Sequence, residues 1–295
     1  MQPEQLRGTT VALVTPFRAD GALDEPAVRS LVEWQIASGV EAILVAGTTG
    51  EGATLAAEEH ARLVEVAVEA AAGRRPVLAG TGSNDTKKAV ALSRQAVRCG
   101  CDAVLVVAPY YNKPTQEGLY QHFRAVAEAV EVPVLLYNVP GRTASNIAAE
   151  TVLRLAEVPN IIGVKEASGN FVQVMEILRG RPDGFLVLSG DDALTLPLVA
   201  LGADGVIAVV ANEVPAEFAE MVRAALRGDW QEARRIHYRL LPLMLANFRE
   251  SNPIPVKAAL ALMGKIEEHL RLPLVPASEN TRREMREILE DLGVV

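Results

Sequence analysis

The chain has 295 residues, a hydrophobic fraction of 49% and a formal net charge of −8 at pH 7. This length suits one α/β barrel, and the hydrophobic content predicts a large buried core and excludes a disordered chain. The scattered acidic charge argues against nucleic acid or an anionic membrane as the main partner. No apolar segment reaches membrane-spanning length and the N-terminus lacks a signal-peptide pattern, so we expect a soluble cytoplasmic protein.

Short apolar segments, many rich in β-branched residues, predict eight strands. Nearly continuous hydrophobic runs of this kind are typical of parallel strands that are buried on both faces. The segments are TVALVT near 10–15, AILVAG at 42–47, PVLAGT at 76–81, AVLVVA at 103–108, VPVLLYN at 132–138, IIGVK at 161–165, FLVLSG at 185–190 and GVIAVV at 205–210.

Amphipathic segments of helical length lie between these strands. The first has Asp24 available as its N-cap, and the second ends at Gly73, where a left-handed residue is favoured. Alternation of strands and helices predicts right-handed crossovers and a parallel sheet. An open doubly wound sheet has the same pattern, but eight regular repeats favour a closed (β/α)8 barrel of the TIM type. We expect the barrel over 1–228 and a three-helix extension over 229–295 packed on it.

Lys165 is the sharpest chemical feature, because it ends an otherwise apolar strand. Active sites of such barrels lie at the C-terminal ends of the strands, so the side chain should begin inside the barrel on the catalytic face. Burial of an ammonium group favours its neutral form, which is the form that makes imines with carbonyl compounds. The alternative is a lysine that extends to solvent or pairs with Glu166.

Polar residues at other strand ends could serve such an amine. Tyr137 ends the neighbouring strand and could transfer protons, although a core tyrosine with a satisfied hydroxyl is the alternative. The run Gly47-Thr48-Thr49-Gly50 could present backbone amides to a carboxylate, or could be only a tight turn. Arg142 could bind a second carboxylate, or could be an ordinary surface arginine.

The sequence shows no convincing metal site. Asp191 and Asp192 lack a third ligand, so we interpret them as an N-cap and a first-turn acid of the next helix. The two cysteines, Cys99 and Cys101, and the four histidines do not have metal-ligand spacing.

Several longer motifs, taken in order, resemble those of one known family. They are VTPF at 14–17, GTTGE at 47–51, PYYNKPTQEGLYQHF at 109–123, YNVPGRT at 137–143, GVKEASG at 163–169 and SGDD at 189–192. Together they cover essentially the whole chain, which resembles the dihydrodipicolinate synthase family in the superfamily of N-acetylneuraminate lyase. The resemblance implies condensation of pyruvate with L-aspartate 4-semialdehyde, the first committed step of diaminopimelate and lysine biosynthesis, without metal or organic cofactor.

The resemblance also implies roles for individual residues. Lys165 would form the Schiff base with pyruvate and Tyr137 would donate and accept protons. Thr48 and Tyr111 would complete a proton relay, with Tyr111 reaching in from a neighbouring subunit. The family is usually a homotetramer formed from tight dimers.

The substrate-binding residues follow from the same resemblance. Thr49, Ile207 and Gly190 would line the pyruvate site, and Arg142 would hold the carboxylate of L-aspartate 4-semialdehyde. Lysine-inhibited members often carry a histidine where this chain has Ala57 and an acid where it has Lys88. We therefore expect weak or absent inhibition by lysine.

Three alternatives remain open. A retro-aldol lyase for another 2-keto acid would have little use for Arg142. A pyridoxal-phosphate enzyme would hold its cofactor on Lys165, but the sequence shows no phosphate cradle. A non-catalytic keto-acid-binding paralogue is disfavoured by the intact Tyr137, Thr48 and Tyr111.

Overall fold

The computed structural model describes residues 1–295 and contains a closed barrel of eight parallel strands in sequential order. Each strand pairs with the next, and β8 returns to β1, so the predicted (β/α)8 barrel is confirmed. The strands are β1 (Gly8–Ala12), β2 (Ala42–Val45), β3 (Val77–Gly80), β4 (Ala103–Val107), β5 (Val134–Asn138), β6 (Ile161–Glu166), β7 (Leu186–Ser189) and β8 (Gly205–Ala208).

The first strand lies closer to the N-terminus than the sequence predicts. The apolar pattern predicts a strand over 10–15, whereas β1 ends at Ala12. The amide of Leu13 still donates to the carbonyl of Leu44 (2.9 Å), but the next amide, that of Val14, donates to the side-chain oxygen of Asn212 (3.0 Å) and not to a neighbouring strand.

Twelve α-helices accompany the barrel: eight lie between successive strands along the chain and four follow β8. They are α1 (Glu25–Ala37), α2 (Ala57–Ala71), α3 (Thr86–Arg98), α4 (Gln116–Ala127), α5 (Pro140–Thr143), α6 (Ala149–Leu155), α7 (Phe171–Gly180), α8 (Thr195–Ala200), α9 (Pro215–Leu226), α10 (Trp230–Ala246), α11 (Ile254–Leu262) and α12 (Glu279–Asp291). Asp24 caps α1 as predicted, since its side chain accepts from the amide of Ala27. At the end of α2 the left-handed conformation begins one residue before Gly73, at Ala72 (φ 48°).

The core has an outer layer between strands and helices and an inner layer that fills the barrel. Sixty-one buried residues form the outer cluster and thirteen form the inner one. The inner cluster includes Leu44, Leu105, Leu188, Tyr137 and Ile207. Successive strand residues face alternate layers, and this alternation decides which polar side chains can reach the barrel mouth.

The last three helices pack on the barrel and on one another. Helix α10 packs against α9, and α12 packs against α10 and α11. The N-terminal half of α11 is buried, including Lys257, whose side chain is wholly inaccessible. The division at residue 228 between the barrel and the C-terminal extension remains a prediction. No helix combines the length and the apolarity needed to cross a membrane.

His122 makes the stability of this fold dependent on acid pH. Its Nδ1 lies 2.9 Å from the Thr86 hydroxyl, and its buried Nε2 has no partner. Burial lowers the pKa of His122 to about 4, although nearby Asp85 opposes the shift. The unfolded chain therefore binds a proton at His122 more readily than the folded chain does. The contribution of the neutral imidazole to the free energy of unfolding is fully present above pH ~6.5 and is lost as the pH drops towards 4.

We expect urea unfolding to show a loss of about 2 kcal/mol attributable to His122 between pH 7 and 4.5. His122→Asn is the matched variant, because its amide keeps a group near the Nδ1 position facing Thr86. The variant should lose correspondingly less stability over that interval. An identical pH dependence in both proteins would show that His122 does not carry the effect.

Candidate active site

Lys165 and Tyr137 lie side by side at the C-terminal ends of β6 and β5. They are direct partners in the parallel register, and the Lys165 Nζ lies 4.4 Å from the centre of the Tyr137 ring. Both residues are buried, at 6% and 7% exposure. The pair combines an amine, which can form an imine with a carbonyl compound, with a phenol that can transfer protons to and from it.

Glu166 is not the partner of Lys165, which makes no ion pair in the structure. Glu166 faces the outer layer, where its carboxylate accepts from the amide of Ser168 (2.7 Å) and from the side chains of Asn138 (3.0 Å) and Gln173 (3.1 Å). These three donors satisfy the buried carboxylate without the lysine. The Lys165 amine is thus left free of a carboxylate partner.

Gly190 makes room for the lysine side chain. A Cβ on this glycine would lie 2.6 Å from the Cβ of Ala167 and 3.1 Å from the Cε of Lys165. Ile207 lies on β8, fully buried in the inner layer together with Tyr137. The structure thus places Gly190 against the lysine and Ile207 in the wall of the same barrel interior.

The segment Thr48–Thr49 follows β2, which lies across the eight-stranded barrel from β6. Thr49 is buried, and its hydroxyl accepts from the side-chain amide of Asn252 (3.0 Å). The hydroxyl hydrogen of Thr49 remains available to a ligand. Thr48 is partly exposed, and its carbonyl accepts from the amide of Glu51 (3.1 Å). Asn252 was not anticipated from the sequence, because it lies in the C-terminal extension.

Tyr111 and Arg142 lie at the rim, outside the buried pair. Tyr111 is 87% exposed, and its φ of 74° is in a region that bulky residues rarely adopt. Its amide donates to the carbonyl of Thr143 (3.3 Å), which links its loop to α5. Arg142 lies exposed on α5 and forms no ion pair. Within one chain, therefore, neither side chain is held in a defined position by a polar contact.

Asp192 corrects the interpretation of the acidic pair. Asp191 accepts from the amide of Leu194 (3.2 Å), but Leu194 itself is the N-cap of α8, so Asp191 lies before the helix and is not its N-cap as predicted. Asp192 does not cap that helix: it is buried and accepts from the amides of Val209 (3.0 Å) and Val210 (2.7 Å). It joins the ends of β7 and β8, and burial raises its pKa to about 7 against the effect of those amides.

The similarity of the whole chain to known proteins agrees with this arrangement. A model of the dihydrodipicolinate synthetase family matches residues 5–292. The chain belongs to this family. A 4-hydroxy-tetrahydrodipicolinate synthase of Koribacter versatilis (strain Ellin345) is 53% identical over 292 residues, which cover 99% of this chain and 97% of the relative.

Solved structures of dihydrodipicolinate synthetase family members have the same fold. The crystal structure of dihydrodipicolinate synthase from Aquifex aeolicus has a TM-score of 0.96 and 48% identity, covering 98% of each chain. The chloride-inhibited dihydrodipicolinate synthase from Acinetobacter baumannii, complexed with pyruvate, has a TM-score of 0.96 and 45% identity, covering 98% of this chain and all of that one. The predicted family is therefore confirmed.

Proposed function

We propose that this protein condenses pyruvate with L-aspartate 4-semialdehyde to give 4-hydroxy-tetrahydrodipicolinate, through a Schiff base on Lys165. The observation that carries the proposal is the buried Lys165–Tyr137 pair, in which the amine has no carboxylate partner. Relatives named for this reaction support it along the full length of the chain. A relative's complex with pyruvate supports the identity of the first substrate.

The chemistry begins once the Lys165 amine has lost its proton. Its nitrogen attacks the ketone carbon of pyruvate, and loss of one water gives the imine. Removal of a methyl proton gives the enamine, whose terminal carbon attacks the aldehyde and forms the new carbon–carbon bond. The amino group of the second substrate then attacks the imine carbon, which closes the ring and releases Lys165. The lysine nitrogen supplies the electron sink, so no step calls on a metal or an organic cofactor.

Tyr137 is placed to transfer the protons of these steps, because its ring lies beside the reacting nitrogen. Thr48 and a second tyrosine would connect Tyr137 to solvent. The exposed Tyr111, held at a positive φ, supports an assembly in which this residue enters the site of a neighbouring subunit. We accordingly propose that the protein acts in the cytoplasm as a homotetramer formed from tight dimers.

The loop after β2 would bind the carboxylate of pyruvate. The backbone amides and the free hydroxyl hydrogen at Thr48–Thr49 offer donors on the side of the barrel opposite Lys165. Ile207 would pack against the pyruvate methyl group, and Gly190 would leave room for the imine. This placement orients the ketone carbon towards the amine.

Arg142 would recognise the carboxylate of the second substrate. Its guanidinium has no competing ion pair and lies on the rim. We expect Arg142→Gln to raise KM for L-aspartate 4-semialdehyde about 10- to 100-fold, because a charge-assisted bond would be lost. KM for pyruvate should change less than about threefold, and Arg142→Lys should recover only part of the loss because it lacks the two-pronged geometry. Steady-state kinetics with each substrate varied in turn measures both. Equal increases in the two KM values would show that Arg142 does not bind the second substrate specifically.

A substrate panel tests the reaction itself. Pyruvate is held constant and the aldehyde is varied among L-aspartate 4-semialdehyde, its analogue without the carboxylate, and aldehyde sugars. We expect efficient turnover only with L-aspartate 4-semialdehyde. Preference for a sugar, or cleavage of a longer keto acid without condensation, would favour the retro-aldol lyase.

Inhibition by lysine is expected to be weak or absent. Lys88 would repel the ammonium group of the ligand, and Ala57 provides no imidazole at a position where sensitive members often carry histidine. Initial rates at increasing lysine concentration measure the effect. Half-maximal inhibition below about 1 mM, a free energy of about −4 kcal/mol, would contradict the expectation.

A further inference from the structure

A buried ion pair lies directly behind the loop that would bind pyruvate. Glu51 follows Thr49 by two residues, and Lys257 comes from α11 near the other end of the chain. The Lys257 ammonium donates to the Glu51 carboxylate, and both side chains are inaccessible or nearly so. Neither residue takes part in the chemistry derived above, so their burial needs a separate explanation.

The pair satisfies nearly all the polar groups that it buries. The second carboxylate oxygen of Glu51 accepts from the amide of Arg271 (3.0 Å), and Lys257 also donates to the carbonyl of His269 (2.7 Å). The Lys257 Nζ lies 4.4 Å from the centre of the Phe17 ring. Burial lowers the pKa of Lys257 to about 8, while Glu51 opposes that shift. Removal of water from both charges offsets much of their attraction, so such a pair is weak evidence for a role in stability alone.

The loop beside this pair has a tightly specified backbone. Glu51 adopts a left-handed conformation (φ 50°), which costs free energy in a residue other than glycine. Gly52 passes so close to the residue that follows β2 that a Cβ would lie 2.1 Å from the carbonyl oxygen of Ala46. The Thr15 hydroxyl donates to the carbonyl of Gly50 (2.6 Å). A strained backbone of this kind persists only where its surroundings hold it.

A second side chain from the C-terminal extension also contacts the loop after β2. Asn252 lies just before α11 and donates to the Thr49 hydroxyl (3.0 Å). Two side chains from one part of the extension thus hold the residues on either side of Gly50. Lys257 fixes Glu51, and Asn252 fixes the orientation of the Thr49 hydroxyl.

We infer that Lys257 and Glu51 are positioning residues, which hold Thr49, with its amide and its hydroxyl, in the geometry that binds the carboxylate of pyruvate. This inference rests on the proposed function and assigns part of its pyruvate affinity to the C-terminal extension. Lys165 and Tyr137 lie on the opposite side of the barrel, so their chemistry proceeds once pyruvate is bound. Loss of the pair therefore raises KM for pyruvate much more than it lowers kcat.

Two variants separate positioning from stability. Lys257→Met leaves a buried carboxylate without its cation, so both the melting temperature and the pyruvate affinity fall. The double variant Glu51→Gln/Lys257→Met removes both charges and recovers most of the melting temperature, but it still lacks the link between α11 and the loop. The exposed Lys265→Met in the same extension is the matched control: it loses a contact with the Trp34 ring (4.3 Å), so the melting temperature changes little, and the pyruvate affinity stays unchanged.

The readouts are thermal unfolding, steady-state kinetics, and the pyruvate concentration that gives half-maximal borohydride trapping on the intact protein. We expect the double variant to need at least about tenfold more pyruvate in both assays, with kcat within about threefold of the unsubstituted chain; a tenfold change corresponds to about 1.4 kcal/mol. If Lys257→Met does not fold, the double variant alone tests whether the pair positions the loop.

Recovery of both the melting temperature and the pyruvate affinity to within about twofold in the double variant would overturn the inference. Trapping needs no second substrate, so it reports on this loop whichever aldehyde the enzyme uses. If the unsubstituted chain is not trapped by pyruvate at all, the proposed function fails instead.

Discussion

Lys165→Met is expected to lose at least about 10³-fold in the rate of condensation, because no other amine lies beside the Tyr137 ring to form the imine. Methionine keeps the length and apolar character of the lysine chain, so the space beside Gly190 stays filled. The variant should therefore unfold at nearly the same temperature as the unsubstituted chain. The loss then measures the chemistry of the nitrogen and not a collapse of the barrel.

Borohydride reduction identifies the nitrogen directly. The unsubstituted chain treated with pyruvate and borohydride should carry one reduced adduct, and peptide mass analysis should place it on Lys165. Without pyruvate, or in Lys165→Met, no adduct should form. The exposed Lys265→Met provides the control for a lysine outside the site. An adduct on another lysine, or none, would refute the Schiff-base mechanism at Lys165.

Tyr137→Phe is expected to reduce kcat about 10²- to 10³-fold, which is the range for loss of a positioned proton donor and acceptor. The phenylalanine ring keeps its place in the inner core layer, and the lost hydroxyl makes no hydrogen bond within the protein. Stability should consequently change by less than about 0.5 kcal/mol. Pre-steady-state measurement of imine formation with pyruvate alone should show the same slowing as kcat.

The control for this prediction is Tyr238→Phe, which removes a phenol from an exposed position on α10. It should leave kcat and the rate of imine formation unchanged. If kcat of Tyr137→Phe falls by less than about fivefold, water or another residue transfers the protons nearly as well, and Tyr137 is not the principal proton carrier.

The barrel and its reactive pair were predictable because both follow from local patterns. Eight apolar runs defined the strands, and a lysine at the end of such a run has its side chain inside the mouth when the residues directly before and after it face the outer layer. Tyr137 and Lys165 end consecutive strands, so the parallel register brings them together. The boundaries of β1 were less predictable, since its end depends on a hydrogen bond from Val14 to a distant asparagine.

The tertiary contacts that hold the site residues in place were not predictable from local patterns. Lys257 lies in an apolar helical segment, and its sequence neighbours do not indicate that a carboxylate 206 residues away is its partner. Asn252 is equally far from Thr49 in sequence. Asp192 resembled an acid in the first turn of the next helix, but its hydrogen bonds go to the end of β8. Each of these contacts depends on the tertiary arrangement, which a single sequence does not encode as a short motif.

The contact between Asn252 and Thr49 spans 203 residues, which imposes an order on events during biosynthesis. Translation proceeds from the N-terminus, so β2 and its loop leave the ribosome long before Asn252 and Lys257 exist. Until those residues arrive, the Glu51 carboxylate lacks its cation and Thr49 lacks its donor. Under the proposed function, we therefore expect competence to bind pyruvate to be acquired late, when α11 docks, and a nascent chain stalled before α11 to lack the contacts that complete this loop.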